Sequence, residues 1–162
     1  MAAESAAEPY PEEPAERVRA ILSRVVEALG VEAEIEVDED DERIHGTVNG
    51  EDVGLLIGRR GQTVDAIQLL CYRAAFRGVE DRKRVVVDAA GYRQRRREMV
   101  ESQADRAAAR ALESGKEIEL EPMTPSERKM VHDHLVDRPG IETFSEGEEP
   151  ERSVIVAPLV SE

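Results

Sequence analysis

Apolar residues recur three and four apart over residues 15–29, where Val18, Ile21, Leu22, Val25, Val26 and Leu29 share one side of a helix. Gly30 follows as a natural stop. The period then changes to two: V-E-A-E-I-E-V over 31–37 predicts a half-buried strand with its acidic residues turned outward. An acidic turn over 38–42 leads to a second alternating stretch at 43–48, which ends on the turn pair Asn49-Gly50. Next, GLLIGRRGQTVDAIQLLCYRAAFRG runs from a short apolar piece through Gly58-Arg59-Arg60-Gly61 into a helix with Val64, Ile67, Cys71 and Ala74 on one side, ended by Gly78. RKRVVVD at 82–88 predicts a strand preceded by cations.

Residues 92–113 predict a long helix, basic at Arg93, Arg95, Arg96 and Arg97. Further on it is Ala-rich, with Val100, Ala104, Ala107, Ala108 and Ala111 on one face. Ile118 and Leu120 mark a short strand. Thr124-Pro125-Ser126-Glu127 has the form of a capping box with proline at the first helical position, opening a helix expected to end near Asp137. Two strands, 141–144 and 153–157, flank the polar loop SEGEEPER. Residues 1–14, with three prolines and no periodicity, are expected to be disordered.

The chain is 162 residues long, one ordinary domain or two small ones. No apolar run approaches the roughly 20 residues of a membrane span, and no signal peptide opens the chain, so direct membrane insertion is not expected. A lone Cys71 excludes an internal disulfide and a Cys-based zinc site, which fits a cytosolic protein. The net charge of −14 argues against a polyanionic partner until it is divided along the chain. Residues 1–57 carry 4 Lys+Arg against 16 Asp+Glu, residues 58–110 carry 13 against 7, and residues 111–162 carry 5 against 13. A basic middle thus lies between acidic flanks, and a local anion-binding surface survives the total.

That basic middle holds the strongest chemical signal. Gly58 and Gly61 let the backbone turn tightly and approach a ligand without Cβ interference. The following helix aims its N–H groups and positive dipole end at the turn. Arg59 and Arg60 add full charges there, and Gln62 begins the helix. Such a loop suits a sugar–phosphate backbone. G-x-x-G alone is a weak pattern that also fits a plain helix–helix turn. Its context (helix, strand, strand, helix, GXXG, helix, strand) resembles the type II K-homology (KH) domain over residues 15–88. Arg82, Lys83 and Arg84 extend the same basic stretch.

A second signal is Arg128-Lys129-Met130-Val131-His132. Arg128 and His132, four apart, lie on one side of a helix and can reach one phosphate or stack beside one base. The spacing places Met130, Val131, His134 and Leu135 in the buried arc, with Arg128 and His132 at its edge. By spacing alone a solvated helix face is the better reading. However, MTPSERKMVHDHL followed by SEGEEPERSVIV resembles the RxxxH ("R-three-H") single-stranded nucleic-acid-binding domain. KH followed by RxxxH, over residues 15–158, is similar to the Jag, or SpoIIIJ-associated, family of bacterial RNA-binding proteins.

The resemblance implies a cytosolic binder of single-stranded RNA, or of single-stranded DNA, acting as an RNA chaperone or post-transcriptional regulator linked to cell-envelope growth and division. It also implies a companion made of a single KH domain, or a homodimer. Many Jag proteins begin with an extra folded domain where this chain has its acidic lead, so contacts near the membrane insertase are not carried over.

Other clusters carry less. His132 and His134 diverge by roughly 200° around a helix and cannot share one metal ion. Cys71 sits amid apolar residues without a histidine at catalytic spacing, and His45 has no partner visible in sequence. The carboxylate runs 38–42 and 146–151 lack the apolar surroundings that would raise a pKa. No catalytic residue, metal ligand or cofactor is expected.

The expected architecture is α+β. A type II-like KH domain over 15–90, a three-stranded sheet with helices on one face, precedes a small α+β RxxxH domain over 91–162 that includes the bridging helix 92–113. The expected RNA contacts are Gly58, Arg59, Arg60, Gly61, Gln62, Arg128 and His132, supported by Arg82, Lys83, Arg84, Lys129 and Arg152. The rival reading is a protein-interaction adaptor using the KH fold as a dimerisation scaffold.

Overall fold

A computed structural model describes residues 11–159. The chain forms two compact units, dividing between Arg93 and Gln94.

In the first unit, helix α1 (Pro14–Leu29) starts on proline, whose fixed φ suits the first helical position, one residue before the expected start. Of the lead expected to be disordered, residues 1–10 lie outside the described residues. At the other end Gly30 takes φ 64°, and Val31 donates its N–H to Val26 O at 3.1 Å. That bond holds Val31 in the helix cap, so strand β1 (Ala33–Glu39) starts two residues later than the alternation suggested.

Strand β2 (Arg43–Gly50) runs antiparallel to β1, with Ile35 opposite Val48. Asn49-Gly50, expected as a turn, instead completes the ladder opposite Glu34 and Ala33. The longer register wins because Gly50 lets the strands close up: a Cβ there would lie 2.5 Å from Glu32 O. Strand β3 (Arg84–Ala89) pairs parallel with β2, Val87 opposite Gly46, giving the order β1-β2-β3. The crossover carries α2 (Gly54–Ile57), a 3-10 turn (Arg59–Gly61) and α3 (Gln62–Ala75).

Val18, Leu22, Ile44, Val48, Leu56, Val64, Cys71 and Val87 form one continuous core. Helix α3 buries Ala75 where Ala74 was expected, and Ala74 stays half-exposed. Gly46 allows α1 to sit close, since a Cβ on it would lie 2.7 Å from Leu22 Cδ1. On the outer edge of β1, Arg19 donates to Ile35 O and Val37 O at 3.3 and 3.5 Å. Truncating the fully buried Leu22 to alanine would cost about 2–5 kcal/mol.

Helix α4 (Tyr92–Ser114) opens within the first unit and belongs mainly to the second. Its buried face is Val100, Ala104, Ala107, Ala108 and Ala111, as the periodicity indicates. Then follow β4 (Ile118–Glu119), α5 (Pro125–Leu135), β5 (Ile141–Glu146) and β6 (Ser153–Pro158). The sheet order is β4-β6-β5, all antiparallel, with β6 central. Its core joins the alanine face of α4 to Met123, Val131, Leu135, Ile141, Val154 and Val156.

The capping box of α5 is complete. Thr124 Oγ1 accepts from Glu127 N at 3.4 Å, and Thr124 N donates to Glu127 Oε2 at 2.9 Å. The helix ends at Leu135, two residues early, where Arg138 N turns back to Leu135 O.

Candidate nucleic-acid interface

The GRRG loop of the first unit owes its shape to its glycines. Gly58 adopts φ 70°, and a Cβ there would fall 2.0 Å from Thr63 Oγ1. Gly61 adopts φ 79°, with the Tyr92 ring 2.6 Å from where a Cβ would stand. Between them Arg60 is held at φ 53°, a left-handed conformation unfavourable for a residue with a long side chain. The folded unit maintains that strain and thereby fixes the direction of the loop.

Arg59 and Gln62 are exposed, and Arg60 is half-buried. No side chain caps the start of α3, which begins immediately after Gly61. An exposed arginine, two close-approach glycines and an uncapped helix N-terminus converge on one point. This arrangement can take an anion, and the missing Cβ atoms let a chain of phosphates come close.

The cations before β3 behave unequally. Lys83 Nζ donates to Glu39 Oε1 and to Asp40 O, both at 2.7 Å, and the Glu39 hydrogen bond raises its pKa. Arg82 and Arg84 stay exposed. The acidic turn is itself organised. Asp40 Oδ1 accepts from Glu42 N and Arg43 N at 2.8 Å each, and these bonds hold its carboxyl below the usual range.

Two residues that spacing did not single out matter here: Tyr92, which packs against Gly61 of the loop, and Gln68 farther along α3. Gln68 Oε1 accepts from Val87 N on the edge of β3 at 3.0 Å. Only the fold brings a helix position and a strand edge together. Cys71 lies wholly in the core, where burial pushes its thiol up to about 12.

In the second unit, Arg128 lies inside rather than at the edge of the buried arc, 8 % exposed. Its Nη1 donates to Met123 O at 2.8 Å, and its Nη2 pairs with Glu149 at 2.6 Å. Those two acceptors are what allow a guanidinium to be buried. The arc is accordingly Glu127, Arg128, Val131 and Leu135, while Met130 is only half-buried. His134, expected at the core, is exposed and meets Asp105 at 3.2 Å.

His132 sits half-buried with both ring nitrogens engaged. Nδ1 lies 2.7 Å from Thr143 Oγ1, and Nε2 lies 3.1 Å from Ser145 Oγ. Burial holds its imidazole below the usual histidine range, opposed by Asp133 and reinforced by the positive Arg128. Lys129 is exposed and pairs with Asp133 at 2.5 Å. Arg152 is half-buried, its Nε enclosed without a hydrogen bond. Arg96, counted among the basic residues, is an internal group here: its Nε meets Glu127 at 2.6 Å, both side chains largely buried. Among the described residues, no group of three His, Cys, Asp or Glu is placed to hold a metal ion. No described helix is long and apolar enough to cross a membrane.

Comparison with known proteins places both motifs. Residues 15–88 match the KhpA/KhpB KH domain, and residues 98–158 match the R-three-H domain. Proteins named RNA-binding protein KhpB align over most of the chain. The Clostridium symbiosum protein is 36% identical over 84% of this chain and 62% of its own length. The Bacillus subtilis protein is 35% identical over 90% and 71%. A Streptococcus pneumoniae protein is 30% identical over 90% and 44%. The chain therefore spans between about two-fifths and seven-tenths of these relatives. With both modules in order, and a relative matched at 35% identity over 71% of its length, this α+β chain belongs to the KhpB family, for which Jag is the other name.

Proposed function

We propose that this chain binds single-stranded RNA. The GRRG loop carries the reading: Gly58, Arg59, Arg60, Gly61 and Gln62 clamp the backbone, supported by Arg82 and Arg84. The same groups serve single-stranded DNA, since phosphate contacts carry no sugar identity of their own. Arg128 and His132 supply a second contact once phosphate replaces Glu149 on the guanidinium and one of the Thr143 and Ser145 hydroxyls on the imidazole. Lys83 and Lys129 add less, because each already faces a carboxylate. Arg152 borders that second contact.

The working modules are residues 15–90 and 91–162. The chain acts in the cytoplasm, as an RNA chaperone or post-transcriptional regulator linked to envelope growth and division, and without catalysis. Relatives named as RNA-binding proteins support the substrate class.

The test is charge reversal at the loop. Arg59→Asp with Arg60→Asp should leave the melting temperature nearly unchanged and weaken binding of single-stranded RNA roughly 100-fold at moderate salt. Equal affinity in the double variant would end this reading. One observation favours the adaptor as a second role. Ile21, Val25 and Leu70, with Leu70 55 % exposed, line an apolar groove of about 510 Å³ rimmed by Arg24, Arg73 and Arg77. There a second KH module, in a companion or a second copy, would dock. Sedimentation of Leu70→Asp against wild type, with and without a companion, tests it.

A further inference from the structure

On the outer edge of β3, the backbone of Val87 is already occupied by side chains. Its N–H donates to Gln68 Oε1 at 3.0 Å, and its carbonyl accepts from Arg93 Nε at 2.7 Å. Arg93 Nη2 donates to the same Gln68 oxygen at 3.0 Å and pairs with Asp65 Oδ1 at 2.9 Å. A bound base therefore meets two side chains here instead of a free strand edge. What those side chains still offer is specific. Among the described residues, neither Gln68 Nε2 nor Arg93 Nη1 makes a hydrogen bond, and the Arg93 side chain is 34% exposed.

The electrostatics sort this spot from the loop beside it. Asp65 offsets the Arg93 charge, so the pair attracts phosphate weakly while keeping its N–H donors. Such a site suits a base edge better than a backbone. It also lies in the right place. Tyr92, next to Arg93, packs on Gly61 of the GRRG loop, and Gln68 is six residues into α3, about 9 Å along its axis.

We propose that Gln68 and Arg93 are the base-reading pair of the first unit, a role that rests on the RNA-binding reading above. Two neighbouring donors call for two neighbouring acceptors. Guanine offers O6 and N7, and cytosine offers O2 and N3. Adenine and uracil set a donor beside each acceptor on those edges, so one Gln68 or Arg93 hydrogen would face another. The pair selects guanine or cytosine and rejects adenine and uracil.

The experiment uses the full chain and fluorescein-labelled pentaribonucleotides in which each position in turn is A, C, G, U or 7-deazaguanine, read by anisotropy. At one position G or C should bind about tenfold more tightly than A or U. Loss of tightness with 7-deazaguanine assigns the guanine edge; tightness with C alone assigns the cytosine edge. Gln68→Glu keeps an acceptor for Val87 N–H and replaces the free donor with an acceptor. It should abolish or invert the preference while the melting temperature holds, and Gln68→Met should abolish it with a lower melting temperature, since the Val87 N–H then loses its acceptor. The Arg59/Arg60 double reversal should weaken all pentamers equally and leave the preference intact. Uniform affinity across bases in wild type, or a preference unchanged in both Gln68 variants, overturns the assignment while leaving RNA binding standing. No binding to any pentamer overturns both.

Discussion

The two cationic motifs sit in opposite electrostatic states. Arg59 projects into solvent from a loop shaped by two left-handed glycines. Arg128 is enclosed, its fork divided between the Met123 carbonyl and the Glu149 carboxylate. A phosphate arriving at the first meets a charge that only water must leave. At the second it must displace Glu149, whose side chain is 52% exposed and free to swing away. Both motifs carry an arginine, but one is exposed and ready while the other is buried and already paired.

The comparison can be broken at its strongest point first. Gly61→Ala forces φ 79° on a residue with a Cβ and drives that atom into the Tyr92 ring, so the first unit should lose about 2–3 kcal/mol in denaturant unfolding. A loss under half that would mean the loop is less constrained than its geometry implies. Next, Arg128→Ala strands the Met123 carbonyl and leaves Glu149 without a partner, for about 1–3 kcal/mol in the second unit. Arg59→Ala should cost nothing measurable in the same assay, and parity between the two arginines would erase the contrast.

A smaller effect sharpens it. Glu149→Gln removes the competing anion, and should tighten binding of long oligonucleotides roughly threefold, with short loop-filling ones unaffected. Weaker binding would show Glu149 to be a support for the contact and not a competitor. The smallest effect is in pH. Because burial lowers the His132 pKa, the unfolded chain takes up a proton more readily than the folded one. The second unit should therefore lose stability as pH falls from about 6.5 toward the lower folded value, and His132→Gln should flatten that slope. A contact between phosphate and imidazolium works the other way, so RNA should reduce the acid sensitivity.

Much of this was readable in residue order, for identifiable reasons. The α4 face and the Thr124 capping box follow from local periodicity and local hydrogen bonding, which depend on neighbours in sequence. The GRRG loop was legible only through its context, because the helix and strand periods on either side of a weak G-x-x-G pattern set the order of elements around it. What sequence missed depends on distant partners. Asn49-Gly50 stays in the ladder because β1 extends that far, a fact about residues fifteen positions away. The burial of Arg128 requires Glu149, twenty-one residues on, to arrive with a compensating charge. His134 turned outward because Arg128 took the place in the buried arc that hydrophobicity would assign to its neighbours. Gln68 carries no pattern at all, and its role exists only once α3 lies against β3.

The sheet of the first unit has two outer strands, and arginine closes both. Arg19 covers the Ile35 and Val37 carbonyls on β1, while Arg93 and Gln68 cover Val87 on β3. A three-stranded sheet would otherwise offer two templates for adding foreign strands, the usual start of aggregation. Here, edge-to-edge joining would first have to strip away charged side chains that cannot easily be buried. The unit can thus remain a small open sheet at high concentration, and its associations are left to its helices and its loop.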